Sequence, residues 1–167
     1  MSENITPELS EIISAEAMSE LNAWIDKYPA EQRQSAVMQA LMLVQQAQGF
    51  LNPSSMDAVA QYLQMPKISV YEVASFYSMY EQKPTGRHII NVCTNISCHL
   101  RGSAGIVCHL EDKLKIKLGD TTPDGRFTLR SVECLAACVN APILQVGQEY
   151  HENLTPTAVD AILDHYV

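Results

Sequence analysis

Cysteine is scarce in this chain, five residues in 167, and no two of them form a CxxC. The two-residue zinc knuckle and the dithiol of a thiol oxidoreductase are therefore both missing. The count is odd, which argues against a closed disulfide framework. Positive charge is also short. Eleven Lys and Arg stand against nineteen Asp and Glu, a formal net charge of -8, and no basic cluster occurs. That balance excludes a nucleic-acid footprint. No hydrophobic run approaches the ~20 residues needed to span a bilayer. The opening MSENITPELSEIIS lacks the basic start and apolar middle of a signal peptide, and the Arg content of a transit peptide. The expectation is a cytoplasmic protein that meets a membrane only through partners. Internal repeats and low-complexity tracts are absent too. What is present is globular composition, 47% hydrophobic and 18% charged, in a chain long enough to bury a core.

The first half carries helical periodicity. Met18, Leu21, Ile25 and Tyr28 recur at helical spacing up to Pro29, and Val37, Leu41, Val44 and Gln48 form a second stripe that stops at Gly49. A third helix is expected over residues 53–63, with Met56, Val59, Ala60 and Leu63 on one side. Ser69-Val70-Tyr71-Glu72 fits a capping box, which predicts a fourth helix to about Tyr77 with Val73, Phe76 and Tyr77 as its apolar stripe. At Lys83-Pro84-Thr85-Gly86 the pattern breaks. Residues 88–92 then read as a strand, 103–114 as a helix with Ile106, Val107, Leu110 and Leu114 inward, and 126–132 as a strand after the turn at 122–125. Residues 143–146 and 149–151 form a hairpin pattern around Gly147-Gln148, and Thr155-Pro156 caps a last helix. The expected class is α+β: an N-terminal helical bundle over residues 1–82, then a small α/β domain over 83–167.

Cys93 and Cys134 both follow directly on strands, each with a second cysteine shortly after it, Cys98 and Cys138. Ligand sites gather where strands end, so the two pairs can make one four-thiolate site. A 2Fe–2S cluster needs two thiolates on each iron and tolerates loose loops. Zinc also accepts four thiolates at gaps of two to four residues, so spacing favours iron–sulfur without removing zinc. Thiol–disulfide chemistry is the weakest of the three, because neither pair is a CxxC.

These segments carry a resemblance. C-T-N-I-S-C-H-L at 93–100, G-D-T-T-P-D-G-R-F-T-L at 119–129 and V-E-C-L-A-A-C-V-N-A-P at 132–142 resemble the thioredoxin-like 2Fe–2S subunit of respiratory complex I. So do S-V-Y-E-V-A-S-F-Y-S at 69–78 and K-P-T-G-R-H at 83–88, and the likeness runs from about residue 30 to the C-terminus. The resemblance implies a thioredoxin-like C-terminal domain in which Cys93, Cys98, Cys134 and Cys138 bind one 2Fe–2S cluster. It implies a partner subunit that binds flavin (FMN) and NADH, contacts with further peripheral-arm subunits through the N-terminal helices, and a place on the cytoplasmic face of the inner membrane. Its activity would be electron transfer within an NADH:quinone oxidoreductase, with catalysis residing in the complex. This chain would bind no nicotinamide, and it contains no GxGxxG. The equivalent subunit of an NAD-linked hydrogenase or formate dehydrogenase shares these motifs, and a zinc-stabilised interaction module is the alternative of another class. One departure stands out: Ala136 occupies a position where such chains often have Gly, which matters if the loop needs positive φ.

Among the other residues, Cys108 is expected to be a small buried hydrophobe. His99 is expected to lie beside the site without ligating, and His109, His151 and His165 to have no chemical role. Trp24 reads as core or subunit interface. Phe76 and Tyr77 are expected in the core, with a partner contact as the alternative, and Tyr80 as a further interface candidate.

Overall fold

The computed structural model describes residues 6–166 and divides the chain into two compact units between Pro84 and Thr85.

The N-terminal unit is helical: α1 (Leu9–Ile12), α2 (Ala15–Ile25), a 3-10 segment (Ala30–Ala36), α3 (Val37–Gln48), α4 (Pro53–Leu63) and α5 (Lys67–Phe76). Local chemistry sets most of the boundaries. Ser14 caps α2 by accepting from the Ala17 N–H at 3.2 Å, and Asn52 caps α4 by accepting from the Ser55 N–H at 2.9 Å, with Pro53 in the first turn. Gly49 ends α3 at φ 81°, its N–H donating to the Gln45 carbonyl at 2.7 Å. The apolar stripes meet in a core built on Leu21, Leu41, Val44, Val59, Leu63 and Val70.

Two expectations for this unit are corrected. The capping box at Ser69 does not form. α5 starts at Lys67, directly after Pro66, and the Ser69 N–H already donates to the Pro66 carbonyl at 3.1 Å, inside the first turn. The buried face of α5 is Val70 and Ala74, so Phe76, about 200° further round the helix, is 80% exposed. Tyr77 is exposed as well, while Val73 packs partly against the core. Tyr80 is the converse case. It is buried, its hydroxyl donates to the Met38 carbonyl at 2.8 Å, and burial, then Tyr77, pushes its pKa up to about 12. Trp24 is half-buried, with the Lys27 ammonium 3.5 Å above its ring.

The C-terminal unit contains β1 (His88–Cys93), α6 (Ile96–Leu100), α7 (Ser103–Leu114), β2 (Phe127–Val132), a 3-10 turn (Cys138–Asn140), β3 (Leu144–Val146), β4 (Glu149–His151) and α8 (Pro156–His165). The sheet order is β2-β1-β3-β4. β1 and β2 are parallel, and the other two pairs are antiparallel. Ile90 and Val92 on β1, Phe127 and Leu129 on β2, and Leu144 and Val146 on β3 bury against Ile106 and Leu110 of α7 and Val159 and Leu163 of α8. Asp160 of α8 reaches across to His109 at 2.9 Å and Lys113 at 3.2 Å on α7, which gives His109 a structural partner. Arg126 donates to the Leu163 and Tyr166 carbonyls, each at 2.6 Å, and so satisfies the open end of α8.

The turn before β2 carries a pH-dependent contact. The Thr122 hydroxyl, then the Arg126 N–H, hold the Asp124 carboxyl below its ordinary value near 3.8. A depressed carboxylate stabilises the fold above its ordinary value and loses that contribution as pH falls through the lowered one. The melting temperature of Asp124→Ala is therefore expected below that of the parent at neutral pH, with the gap closing under acid. A gap that is constant from pH 7 to 3 would contradict this assignment.

Candidate iron–sulfur site

The parallel register sets Cys93, the last residue of β1, opposite Val132, the last residue of β2. Both chains leave the sheet at the same end, and the two cysteine-bearing segments start side by side. The Thr94 N–H donates to the Val132 carbonyl at 3.2 Å, and the Cys93 N–H to the Ile143 carbonyl at 3.2 Å. The first segment is not a loose loop. Asn95 accepts from the Ile96 N–H at 2.8 Å and starts the short helix α6, which carries Cys98 inward. Cys93 and Cys98 are both buried, and they pack with Leu135, Ala141 and Ile143 in a separate small cluster at the end of the sheet.

Cys134 and Cys138 are exposed on the second segment. Ala136 between them has φ 60°, a left-handed conformation that costs an alanine about 1–2 kcal/mol. That conformation turns the Ala136 N–H onto the Cys134 sulfur at 3.2 Å. The departure from Gly noted in the sequence thus falls on a residue that does adopt positive φ.

Burial pushes the Cys98 thiol up to about 11, with further upward pressure from its hydrogen bond to Cys93 and from the charges of Cys93 and Cys138; the Ile143 backbone acts the other way. Among the described residues, no group of three or more His, Cys, Asp or Glu side chains converges on a single metal position. The thiols come as a buried pair on one segment and an exposed pair on the other. Two thiols on each of two segments match a group with two metal atoms, each taking two thiolates. The donor set, the apolar wall of Leu135 and Ile143 and an N–H already aimed at sulfur all fit such a group.

Cys108 departs from expectation: it is exposed on α7, not buried. The buried stripe of that helix is Ser103, Ile106 and Leu110, and residue 108 lies about 200° from residue 106. His99 is exposed, turned about 100° from Cys98 on α6. Sequence reading missed Arg101, which follows Cys98 at i+3 and so shares its side of the helix. Its Nε donates to the Ala141 carbonyl at 3.3 Å and its Nη2 to the Val139 carbonyl at 3.4 Å.

Comparison with known proteins identifies relatives of this chain. An NADH-quinone oxidoreductase subunit of Rhizobium meliloti is 45% identical over 88% of this chain and 86% of its own. The corresponding NADH-quinone oxidoreductase subunit of Rickettsia prowazekii is 44% identical over 86% of this chain and 81% of its own. Among solved structures, an NAD+-reducing [NiFe]-hydrogenase chain superposes with a TM-score of 0.67 at 23% identity, over 76% of this chain and 22% of that one, a likeness of fold. The sequence model of the thioredoxin-like [2Fe-2S] ferredoxins matches residues 21–167, and the chain belongs to that family.

Proposed function

We propose that this chain is the electron-transfer subunit of an NADH:quinone oxidoreductase, and that Cys93, Cys98, Cys134 and Cys138 are the ligands of its one 2Fe–2S cluster. The observation that carries the reading is near-full-length identity of 45% to a relative named as a subunit of that enzyme, joined to four thiols at the ends of two adjacent strands. When bound, the cluster supplies one-electron transfer, which thiols alone do not perform. The chain's own residues do the rest. Cys93 and Cys98 hold the buried side, and Cys134 and Cys138 the side open to solvent. The high pKa of Cys98 means that its proton leaves as a metal binds, since a coordinating thiol is deprotonated outright. The Ala136 N–H lowers the electron density at the Cys134 sulfur, a lever on potential.

The electron's donor sits on another chain in this reading, a partner subunit that binds FMN and NADH. Ile96, Leu100 and Val139 flank the cysteines and are 65%, 78% and 86% exposed. Apolar side chains left in water around a redox site suit a covering partner, which supports docking of that subunit on this face. No helix among the described residues is long and apolar enough to cross a membrane, and in this reading attachment to the membrane runs through the assembly. Catalysis of NADH oxidation belongs to the complex.

Anaerobic purification followed by iron, acid-labile sulfide and EPR analysis tests the reading. The expected result is about two irons and two sulfides per chain and a one-electron EPR signal after reduction. A colourless, zinc-loaded protein that stays EPR-silent under dithionite overturns it.

A further inference from the structure

Each cysteine pair is held within its own segment, and each segment is tied to the sheet. The site also has to keep the two pairs at a fixed separation, since a change of an ångström in ligand spacing is large for a coordination bond of ~2.3 Å. The Cys138 segment is anchored by buried Leu135 and by Asn140, which donates to Glu152 and accepts from the Asn153 N–H, each at 2.7 Å, but the cysteine side of its turn faces solvent. Cys134, Ala136, Cys138 and Val139 are all exposed, and its 3-10 turn is only three residues long.

Arg101 supplies a bridge. Its backbone N–H bonds back to the Cys98 carbonyl at 3.1 Å, so it belongs to the same turn as that ligand. Its side chain crosses to the other segment and forks onto the Val139 and Ala141 carbonyls, one residue and three residues past Cys138. A planar guanidinium is suited to holding two acceptors at once, and its charge persists at any working pH. That charge lies beside a turn that carries a thiolate when the site is loaded. Four thiolates, two sulfides and two ferric ions sum to a net negative group, and an added electron makes it more negative. A cation held in place next to it favours the reduced state.

Given the cluster site proposed above, we propose that Arg101 is a positioning residue for it: it ties the Cys98 helix to the Cys138 turn and holds a positive charge beside that turn.

The test compares the full-length chain with Arg101→Ala and Arg101→Lys, each reconstituted with iron and sulfide, using EPR-monitored redox titration and the rate of bleaching in a chelator. Far-UV circular dichroism of the three proteins serves as the folding control. Arg101→Ala is expected to lose its cluster about tenfold faster, in line with other outer-shell partners. Its reduced-to-oxidised ratio at fixed potential is expected to fall about threefold, equivalent to about 28 mV at 59 mV per decade for one electron. Arg101→Lys keeps the charge and loses the fork, so it bleaches fast while its potential stays at the parent value. An Arg101→Ala protein with the parent potential overturns the proposal whatever its bleaching rate, because lost packing alone would change the rate. Parent protein that takes up no 2Fe–2S cluster overturns the cluster reading itself, whereas a loaded parent with an unmoved Arg101→Ala overturns only the role of Arg101.

Discussion

Replacing Cys98 with Ala abolishes the 2Fe–2S spectrum, and replacing Cys108 with Ala leaves it intact; this is the largest contrast expected from any pair of substitutions in the chain. Both residues are free thiols in the same unit, ten positions apart, and both sit on helices. Their surroundings differ completely. Cys98 is buried against Leu135 and Ile143, in hydrogen-bond contact with Cys93 and within reach of the charge of Cys138. Cys108 is exposed on the outer side of α7, two residues from the buried stripe. Taking away Cys98 leaves one metal atom with a single thiolate and no nearby replacement, since His99 points to another side of α6. The cluster-free variant itself should remain folded, because trimming one sulfur from a small satellite cluster costs on the order of 1 kcal/mol. Visible absorption, EPR and iron content of the two variants check the contrast. A cluster retained in Cys98→Ala, or lost in Cys108→Ala, would mean that a different set of four ligates.

Gly86→Ala is expected to give the largest loss of stability among changes that add a single methyl group. A Cβ at residue 86 would stand 2.7 Å from the Phe127 carbonyl carbon and 3.0 Å from the backbone nitrogens of Phe127 and Thr128. These are atoms of the β2 backbone, not the ends of flexible side chains, so the strand itself would have to shift. The Gly86 N–H also donates to the Thr128 hydroxyl at 2.7 Å, and separation breaks that bond. On β2, Phe127 and Leu129 are buried in the core, so any shift is felt there. Forced rearrangement of this kind costs about 1–3 kcal/mol. For a unit of this size, that is a drop in melting temperature of roughly 4–8 °C per kcal/mol. Gly105→Ala is the matched control. Residue 105 lies within α7 with nothing within 4 Å of its Cβ position, so Ala is expected to stabilise by about 0.5–1 kcal/mol. Equal melting temperatures for the two variants would refute the close approach of residue 86 to β2. Because β2 leads directly into the Cys134 segment, cluster retention in Gly86→Ala should fall along with stability.

Where an element is bounded by its own local chemistry, the sequence alone was sufficient. Pro53, Gly49 and Thr155-Pro156 mark helix ends because an N-terminal proline, a left-handed glycine and a cap act within a few residues of themselves. The alternation of Ile90 and Val92 placed β1, and the cysteine positions just after the strands pointed to a shared site. The same local reasoning failed where two signals compete. Ser69 could cap a helix, but the helix has already started at Lys67, and this change of start settles nothing about which face is inward until α3 and α4 are in place. The helix at 96–100 was hidden because five residues carry too little periodicity to register.

Residue types and their order along the chain thus determined most of the longer helices and strands and named the four candidate thiols, since those depend on backbone chemistry within a turn or two. Only the tertiary structure decided which of them are buried. Cys98 and Cys108 both lie among apolar neighbours in sequence, yet packing encloses one and leaves the other in water. Phe76 looks like core and is exposed, while Tyr80 looks like a surface residue and is enclosed. Arg101 becomes part of the site only because a parallel strand pair returns residue 139 to it from 38 positions away. Burial and cross-chain bonds depend on what other segments bring alongside, and a one-dimensional pattern carries that information only weakly.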